Sequence, residues 1–261
     1  MIDLILKKEA NINLYIQSYN VVPISSGAGY VEIINNANTL YYINKKLNMT
    51  IQNYILNNNS NCKVSELSDR FMKSTAAYCV ITYILGIGDR HLDNIMLTND
   101  GILFHIDFGF ILGFDSKPSV PCMRITDEMV DAIGGINSKN YENFKLLCTQ
   151  SFNCLRRHIG LFIHMLSLIP NAIPEIQENY NYTETQLMNE IINRFLPGQT
   201  YEEAELQFNI HIEKSYNSSK HAFYDFIHHH NKQSTISNSI SNVVNKATNA
   251  AKNIFNMINY K

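Results

Sequence analysis

The sequence predicts an α+β fold that is mostly helical and is organised around a single β-hairpin. The hairpin is indicated by the Asn-Asp-Gly segment at 99–101, which lies between apolar runs at 95–97 and 102–106. Asp-Gly is favoured in tight turns between strands because Gly takes φ > 0 freely. The helices are indicated by apolar residues that recur every three or four positions, most clearly over residues 68–85.

The chain begins with a short helix and two strands. Residues 3–10 predict the end of a helix, and residues 14–22 alternate apolar and polar side chains as a half-buried strand does. Residues 23–29 begin with Pro and end with Gly, which predicts a turn. Residues 30–34 then predict a second strand before the main helical body.

The rest of the chain predicts helices on both sides of the hairpin. An Asn-rich segment at 35–63 contains a helix that ends near Leu56, and the helix at 68–85 leads directly into the hairpin. Beyond the hairpin, helical periodicity is found at 141–169, 184–195, 201–214 and 220–230. A polar linker at 231–241 follows, and an apolar stripe within 243–258 predicts an amphipathic tail.

The composition is that of an ordinary globular protein. The 261 residues are 45% hydrophobic, and a net charge of −2 provides no field for binding a polyanion, so nucleic acid is not expected as a partner. Five cysteines without a C-x-x-C pair predict reduced thiols in a cytosolic setting. The longest apolar stretch, residues 159–169, is too short to span a bilayer.

Residues 86–109, GIGDRHLDNIMLTNDGILFHIDFG, place chemically active side chains at the two ends of the hairpin. Asp89 and His91 lie in a polar loop, Asn94 leads into the first strand, and Asp107 follows the second. The hairpin therefore brings Asn94 and Asp107 together. An amide oxygen and a carboxylate suit Mg²⁺, which takes one or two protein ligands and completes its shell with phosphate oxygens. The pattern predicts phosphoryl transfer.

The order of these residues differs from that of protein kinases, which carry H-R-D-x-x-x-x-N followed by D-F-G. Here the order is D-R-H-x-x-N and then D-F-G. This order resembles the lipid kinases of the phosphatidylinositol 3- and 4-kinase superfamily. The stretches YCVITYILGIGDRHLDNIMLT, DFGFILGFDSKP and EMVDAIGG are similar to the class III (vacuolar-sorting type) phosphatidylinositol 3-kinases. Matching residues run from about 12 to about 232.

The resemblance implies a kinase-like C-terminal lobe preceded by the last strands and hinge of an N-terminal lobe. Residues 1–34 would be that remnant, residues 35–232 the lipid kinase C-terminal lobe, and residues 233–261 an Asn/Ser-rich linker and amphipathic tail. The family's phosphate-covering loop and ATP-contacting lysine have no counterpart in the sequence, so the N-terminal lobe is expected to be truncated.

The same resemblance implies a site for ATP. The hinge backbone would hold adenine, with a carbonyl from Glu32 and an N–H from Ile34. Tyr19, Met96 and Ile106 would line the pocket. Asn94 and Asp107 would hold Mg²⁺, with Mn²⁺ as an alternative ion.

The catalytic loop offers two candidates for the base. His91 suits the role because an imidazole accepts a proton near neutral pH, and Asp89 could then orient it. Asp89 could itself be the base, and the sequence leaves the two open. Arg90 is expected to tie the loop to its neighbours through bidentate hydrogen bonds.

The segment from Asp107 to about Thr126 is where the resemblance implies that the lipid head group docks. Its basic residues are few, with Lys117 in a turn and Arg124 downstream. One lysine fits a single phosphodiester, whereas extra ring phosphates require a cluster of cations. Phe114 departs from the family, which has a basic residue at that position.

The expected activity is that of an ATP-dependent kinase acting on the 3-position of phosphatidylinositol, and little of it is expected from this chain alone because the N-terminal lobe is missing. Two alternatives stay open: a phosphatidylinositol 4-kinase, and a catalytically incomplete C-lobe that acts as an interaction module. The expected partners are a phosphatidylinositol membrane surface and a missing N-lobe or regulatory subunit. The protein is expected to be cytoplasmic and peripheral on endomembranes.

Overall fold

A computed structural model describes residues 1–25, 27–113, 121–169 and 183–218 and confirms the α+β class. Met1–Ser218 forms one compact unit. The unit also contains a π-helical turn, Tyr42–Lys46, and a 3₁₀ turn, Leu92–Asn94. Its helices and strands, in chain order, are α1 (Ile2–Glu9), β1 (Val21–Ser25), β2 (Ala28–Val31), β3 (Ala37–Thr39), α2 (Ile51–Asn57), α3 (Val64–Leu85), β4 (Ile95–Thr98), β5 (Leu103–His105), α4 (Asp127–Ile133), α5 (Lys139–Arg156), α6 (Ile159–Leu166), α7 (Glu184–Arg194) and α8 (Tyr201–Tyr216).

Helix α3 is the centre of the core. It is buried on most of its circumference and packs against α5, β5 and α4. A helix that is apolar on most sides belongs in the interior, because no face of it gains from contact with water. Helix α8 also packs on α5, where Phe208 stacks on Phe152, and Tyr83 of α3 contacts both rings. The core therefore fixes the end of α3, from which the hairpin begins.

The predicted hairpin is confirmed and has a third strand. Strands β4 and β5 pair antiparallel with Ile95 opposite His105 and Leu97 opposite Leu103. Strand β3 adds to the free edge of β4, with Asn38 opposite Leu97. Strand β3 was not predicted, because only three of its residues pair and the Asn-rich segment around it does not alternate apolar and polar side chains.

The strand predicted at 14–22 is wrong. Residues 11–20 have no regular secondary structure, and positive φ angles at Asn11 and Tyr15 interrupt an extended chain. Leu14 is nonetheless buried. The alternation in the sequence reflects this packing rather than pairing in a sheet.

The turn predicted at 23–29 is also wrong, because most of that segment is strand. Strands β1 and β2 form an exposed antiparallel hairpin that includes Pro23, which lies opposite Gly29. Proline is tolerated there because an edge strand does not require every backbone N–H.

The predicted helices that lie in the described residues are found, with two main differences in their bounds, and α4 (Asp127–Ile133) was not predicted. Helix α3 begins four residues before the predicted start, at Val64. The segment predicted as one helix at 141–169 is two helices, α5 and α6, which are separated at Arg157 and His158. Both residues contact Glu9 at the end of α1, so a tertiary contact accompanies the break.

Several predictions fall outside the described residues. These are the helix at 220–230, the amphipathic tail within 243–258, and both Phe114 and Lys117. The domain boundaries at residues 34 and 232 stay predictions. Among the described helices, none has the length and apolar character needed to cross a membrane.

Candidate active site

The catalytic loop begins where α3 ends in a left-handed glycine. Gly86 has a φ of 58°, and its carbonyl accepts a hydrogen bond of 2.9 Å from the backbone N–H of Gly113. A Cβ at position 86 would lie 2.2 Å from the nitrogen of Gly113, so only glycine allows this approach. The end of α3 is thereby attached to the chain that follows the D-F-G motif.

Asp89 and His91 lie side by side in the loop that follows. The Nε2 atom of His91 is 3.7 Å from Oδ2 of Asp89, and the backbone N–H of His91 donates to the carbonyl of Asp89 at 3.0 Å. The His91 side chain is mostly buried, while 21% of the Asp89 side chain is exposed. The geometry allows either residue to accept a proton, with the other as its neighbour.

Arg90 joins the catalytic loop to the D-F-G segment. Its Nε donates to the carbonyl of Gly88 at 2.7 Å and its Nη1 to the carbonyl of Ile106 at 2.7 Å. Its Nη2 donates to the carbonyl of Asp107. The guanidinium also lies 5.8 Å from the ring centre of Phe108. A planar group with a fork of donors suits this arrangement better than a lysine would.

Asn94 and Asp107 meet at the open end of the hairpin, as the sequence predicts. The backbone N–H of Ile106 donates to the carbonyl of Asn94 at 3.1 Å. The amide nitrogen of Asn94 donates to the carbonyl of Asp89 at 3.1 Å, which leaves the amide oxygen turned away from that bond. The Oδ1 of Asp107 accepts from the backbone N–H of Gly109 at 3.2 Å. One amide oxygen and one carboxylate form the hard-oxygen donor set that Mg²⁺ prefers, so these residues fit that ion.

A cleft of about 470 Å³ opens beside Asp107, and all five residues predicted to contact the nucleotide line it. They are Tyr19, Glu32, Ile34, Met96 and Ile106. The other lining residues were not predicted. Phe108 could have been, because it follows Asp107 directly, and the rest lie in or next to segments that were predicted as strands. These further residues are Val21, Val31, Ile33, Phe104 and Phe108.

The hinge backbone at residues 32–34 has free hydrogen-bonding groups. The N–H of Glu32 donates to the carbonyl of Asn20 at 2.9 Å, and the Glu32 carboxylate accepts from the Asn20 side chain at 2.8 Å. Within the described part of the chain, neither the carbonyl of Glu32 nor the N–H of Ile34 has a hydrogen-bond partner. A carbonyl and an N–H two residues apart are the groups that a flat heterocycle can pair with.

Tyr19 lies within electrostatic range of Arg90 and Asp107. Burial raises the pKa of its phenol, the charge of Arg90 lowers it, and the charge of Asp107 raises it. A tyrosine is protonated at neutral pH even with its ordinary pKa, so the phenol can act as a hydrogen-bond donor in the cleft.

The predicted head-group residues are not brought together by the described structure. Arg124 is only 5% exposed and lies between the buried Met123 and Ile125, just before α4. Its guanidinium is therefore an interior group rather than a surface cation. Lys117 lies outside the described residues.

Fold and site together define a kinase-like catalytic lobe. The family model described as phosphatidylinositol 3- and 4-kinase matches residues 1–178, and the chain belongs to this family. The resemblance found in the sequence is confirmed.

Several relatives carry the name of one kinase. The chain is 33% identical to phosphatidylinositol 3-kinase VPS34 of Saccharomyces cerevisiae, in an alignment that covers 85% of this chain and 26% of the relative. It is 37% identical to phosphatidylinositol 3-kinase pik3 of Schizosaccharomyces pombe, over 68% of this chain and 23% of the relative. It is 39% identical to phosphatidylinositol 3-kinase VPS34 of Arabidopsis thaliana, over 67% of this chain and 22% of the relative. The chain thus spans about a quarter of the length of these relatives.

Proposed function

We propose that this chain carries the catalytic residues of an ATP-dependent phosphatidylinositol 3-kinase. The main observation in support is that one cleft is lined both by the predicted hinge residues Glu32 and Ile34 and by the predicted metal ligand Asp107. The family membership supports a kinase that acts on an inositol lipid. The shared name of the relatives supports the 3-position of phosphatidylinositol.

In the proposed reaction the two cleft walls hold ATP. The Glu32 carbonyl and the Ile34 N–H pair with adenine, while Tyr19, Met96 and Ile106 enclose it. Asn94 and Asp107 hold Mg²⁺ or Mn²⁺, which when bound neutralises charge on the phosphates. Asp107 therefore serves as the anionic anchor of the site.

The catalytic loop orients the acceptor hydroxyl. In one arrangement His91 takes the proton of the inositol hydroxyl while Asp89 orients the imidazole. In the other, Asp89 takes the proton and His91 positions it, and the 3.7 Å distance between the two side chains supports both. Arg90 keeps this loop at a fixed distance from Asp107 through its three backbone carbonyl contacts.

The lipid is reached from a membrane surface. We retain Lys117 as the cation for the phosphodiester of the head group, and we assign Arg124 a structural role because it is buried. The site of action is the cytoplasmic face of endomembranes, with phosphatidylinositol as the membrane partner and a regulatory subunit as a possible protein partner.

The test is phosphate transfer from ATP to phosphatidylinositol in vesicles, with the ring position of the product determined. Any phosphate that the wild-type chain transfers should be at the 3-position, and Asp89→Asn or His91→Gln should lower that transfer at least about a hundredfold. A product phosphorylated at the 4-position would support the phosphatidylinositol 4-kinase alternative. Binding of Mg²⁺-nucleotide without any transfer would support the interaction module.

A further inference from the structure

Tyr78 lies in α3 and contacts two segments that lead to the walls of the cleft. Its hydroxyl donates a hydrogen bond of 2.8 Å to the carbonyl of Gln17, two residues before Tyr19. Its ring stacks on the imidazole of His105, two residues before Asp107, with ring centres 4.8 Å apart. One side chain therefore touches both the segment that carries Tyr19 and the strand that leads to Asp107.

Helix α3 binds two backbone N–H groups of β5. The N–H of Leu103 donates to Oγ of Ser74 at 2.9 Å, and the N–H of His105 donates to the Tyr78 hydroxyl. Ser74 and Tyr78 are separated by about 6 Å along a helix, and residues two apart in a strand by about 6.6 Å, so the two spacings agree. Helix α3 thus provides acceptors for the N–H groups on the edge of β5 that faces away from β4, and this fixes the position of the strand.

The contact with Gln17 adds a hydrogen bond to a segment that is otherwise held by side-chain packing. Residues 11–20 have no regular secondary structure. Leu14 is buried, Ile16 and Tyr19 pack against the core, and Lys73 of α3 lies 5.9 Å from the ring centre of Tyr15. Within the described residues, the bond from Tyr78 is the one hydrogen bond from another element to the backbone of residues 13–19.

The Tyr78 hydroxyl keeps its proton near neutral pH. Burial raises the pKa of Tyr78 far above its ordinary value, and the hydrogen bond from the His105 backbone offsets only part of this. The hydroxyl therefore remains the donor to Gln17.

We propose that Tyr78 is a positioning residue that sets the distance between the Tyr19 wall and the Asp107 wall of the nucleotide cleft. The inference rests on the proposed function in one respect, which is that the cleft binds Mg²⁺-nucleotide. The positioning of residues 13–19 by the Tyr78 hydroxyl does not depend on it.

The test compares Tyr78→Phe with Tyr83→Phe. Both variants remove one hydroxyl from a buried tyrosine of α3 and keep the ring, but Tyr83 faces away from the cleft and packs on Phe152 and Phe208. Calorimetric titration with Mg²⁺ and a non-hydrolysable ATP analogue should give a Kd about threefold to tenfold higher for Tyr78→Phe. Tyr83→Phe should keep the wild-type Kd.

Amide hydrogen exchange without nucleotide gives the second measurement. Exchange should be followed at the amides of Asn20 and Glu32, which donate to Glu32 and Asn20 at 2.8 and 2.9 Å. It should be faster in Tyr78→Phe than in the wild type and unchanged in Tyr83→Phe. Wild-type exchange at Asn20 and Glu32 in Tyr78→Phe would overturn the positioning role, as would equal effects of the two variants. A wild-type chain that binds no nucleotide would refute the proposed function instead, and the exchange comparison would still decide the role of Tyr78.

Discussion

At the scale of single residues, the site combines groups that are held rigidly by their own backbone. Asp89 and Asp107 both have positive φ angles, of 53° and 58°, in a region that non-glycine residues seldom occupy. Arg90 contacts the carbonyl of Asp107 directly, and the amide of Asn94 contacts the carbonyl of Asp89. These bonds hold the backbone of both aspartates in its positive-φ conformation.

Replacement of Asp107 by Asn should remove the Mg²⁺ dependence of nucleotide binding. The variant loses a full negative charge beside the cation, so we expect affinity in Mg²⁺ to fall at least about tenfold while affinity in EDTA stays the same. Asn94→Ala removes a neutral ligand and should weaken binding less. Titration of an ATP analogue in both buffers measures this. The control is Asp100→Asn, which makes the same substitution at the hairpin turn, and an equal effect there would contradict the metal assignment.

His105 should make the protein less stable in acid. Burial, and to a smaller extent the charge of Arg90, lowers its pKa well below the ordinary value of 6.5. Below pH 6.5 the unfolded chain therefore binds a proton that the folded chain does not, and stability falls as the pH falls. The loss is about 1.4 kcal/mol per pH unit until the folded pKa is reached.

The substitution His105→Phe should remove this part of the pH dependence. The difference in unfolding free energy between pH 7 and pH 5 should shrink by about 2 kcal/mol relative to the wild type. Urea unfolding at the two pH values measures the difference. His164→Phe makes the same change at an exposed histidine and should leave the difference as it is. Identical pH dependence in all three proteins would show that folding does not lower the pKa of His105.

At the scale of elements, α3 and the hairpin form the frame on which the site is built. Helix α3 supplies Ser74 and Tyr78 to the edge of β5, and its last residue leads into Gly86. The catalytic loop is therefore anchored at one end by the core helix and at the other by β4. A shift of either element would move Asp89 relative to Asp107.

Gly86→Ala should damage this frame, because the added Cβ would lie 2.2 Å from the nitrogen of Gly113 and the φ of 58° is unfavourable for alanine. We expect a loss of about 2 kcal/mol or more in unfolding free energy. Gly160→Ala in α6 is the matched control, since a Cβ there meets nothing within 4 Å. It should be neutral or stabilise by up to about 1 kcal/mol. Thermal and urea unfolding distinguish the two, and equal stability of both variants would contradict the close approach at Gly86.

At the scale of the whole molecule, the β1–β2 hairpin forms an exposed apolar surface among the described residues. Every described residue of these two strands is exposed, and the hairpin contributes Val21, Val22, Ile24, Tyr30 and Val31 to that surface. Strand edges with exposed apolar side chains favour association with other chains. The same strands contribute Val21 and Val31 to the cleft.

The chain should therefore self-associate through the β1–β2 hairpin as its concentration rises. Val22→Lys should reduce the association, because it introduces a charge opposite Tyr30 on the exposed strand pair. Leu206→Lys makes the same kind of change at an isolated exposed leucine of α8 and should have no effect. Sedimentation velocity over a range of concentrations measures both, and association that is equally sensitive to the two substitutions would exclude the hairpin as the contact.

The sequence by itself determined the parts that depend on local chemistry. Three such parts are the Asp-Gly turn, the periodicity of α3, and the order D-R-H-x-x-N followed by D-F-G. Each can be predicted because turn geometry, helix periodicity and motif spacing depend on residues that are close together in the chain. They were sufficient to place Asn94 beside Asp107 and to indicate the family.

Tertiary structure decided what depends on distant contacts. The short strand β3 exists only because β4 offers a free edge, and residues 11–20 are irregular although their alternation resembles a strand. Arg124 is buried together with its neighbours Met123 and Ile125, and its charge alone would predict a surface residue. The role of Tyr78 also depends on two partners 61 and 27 positions away in the chain, counted to Gln17 and His105. Such contacts are fixed by packing around the whole core, and no local pattern specifies them.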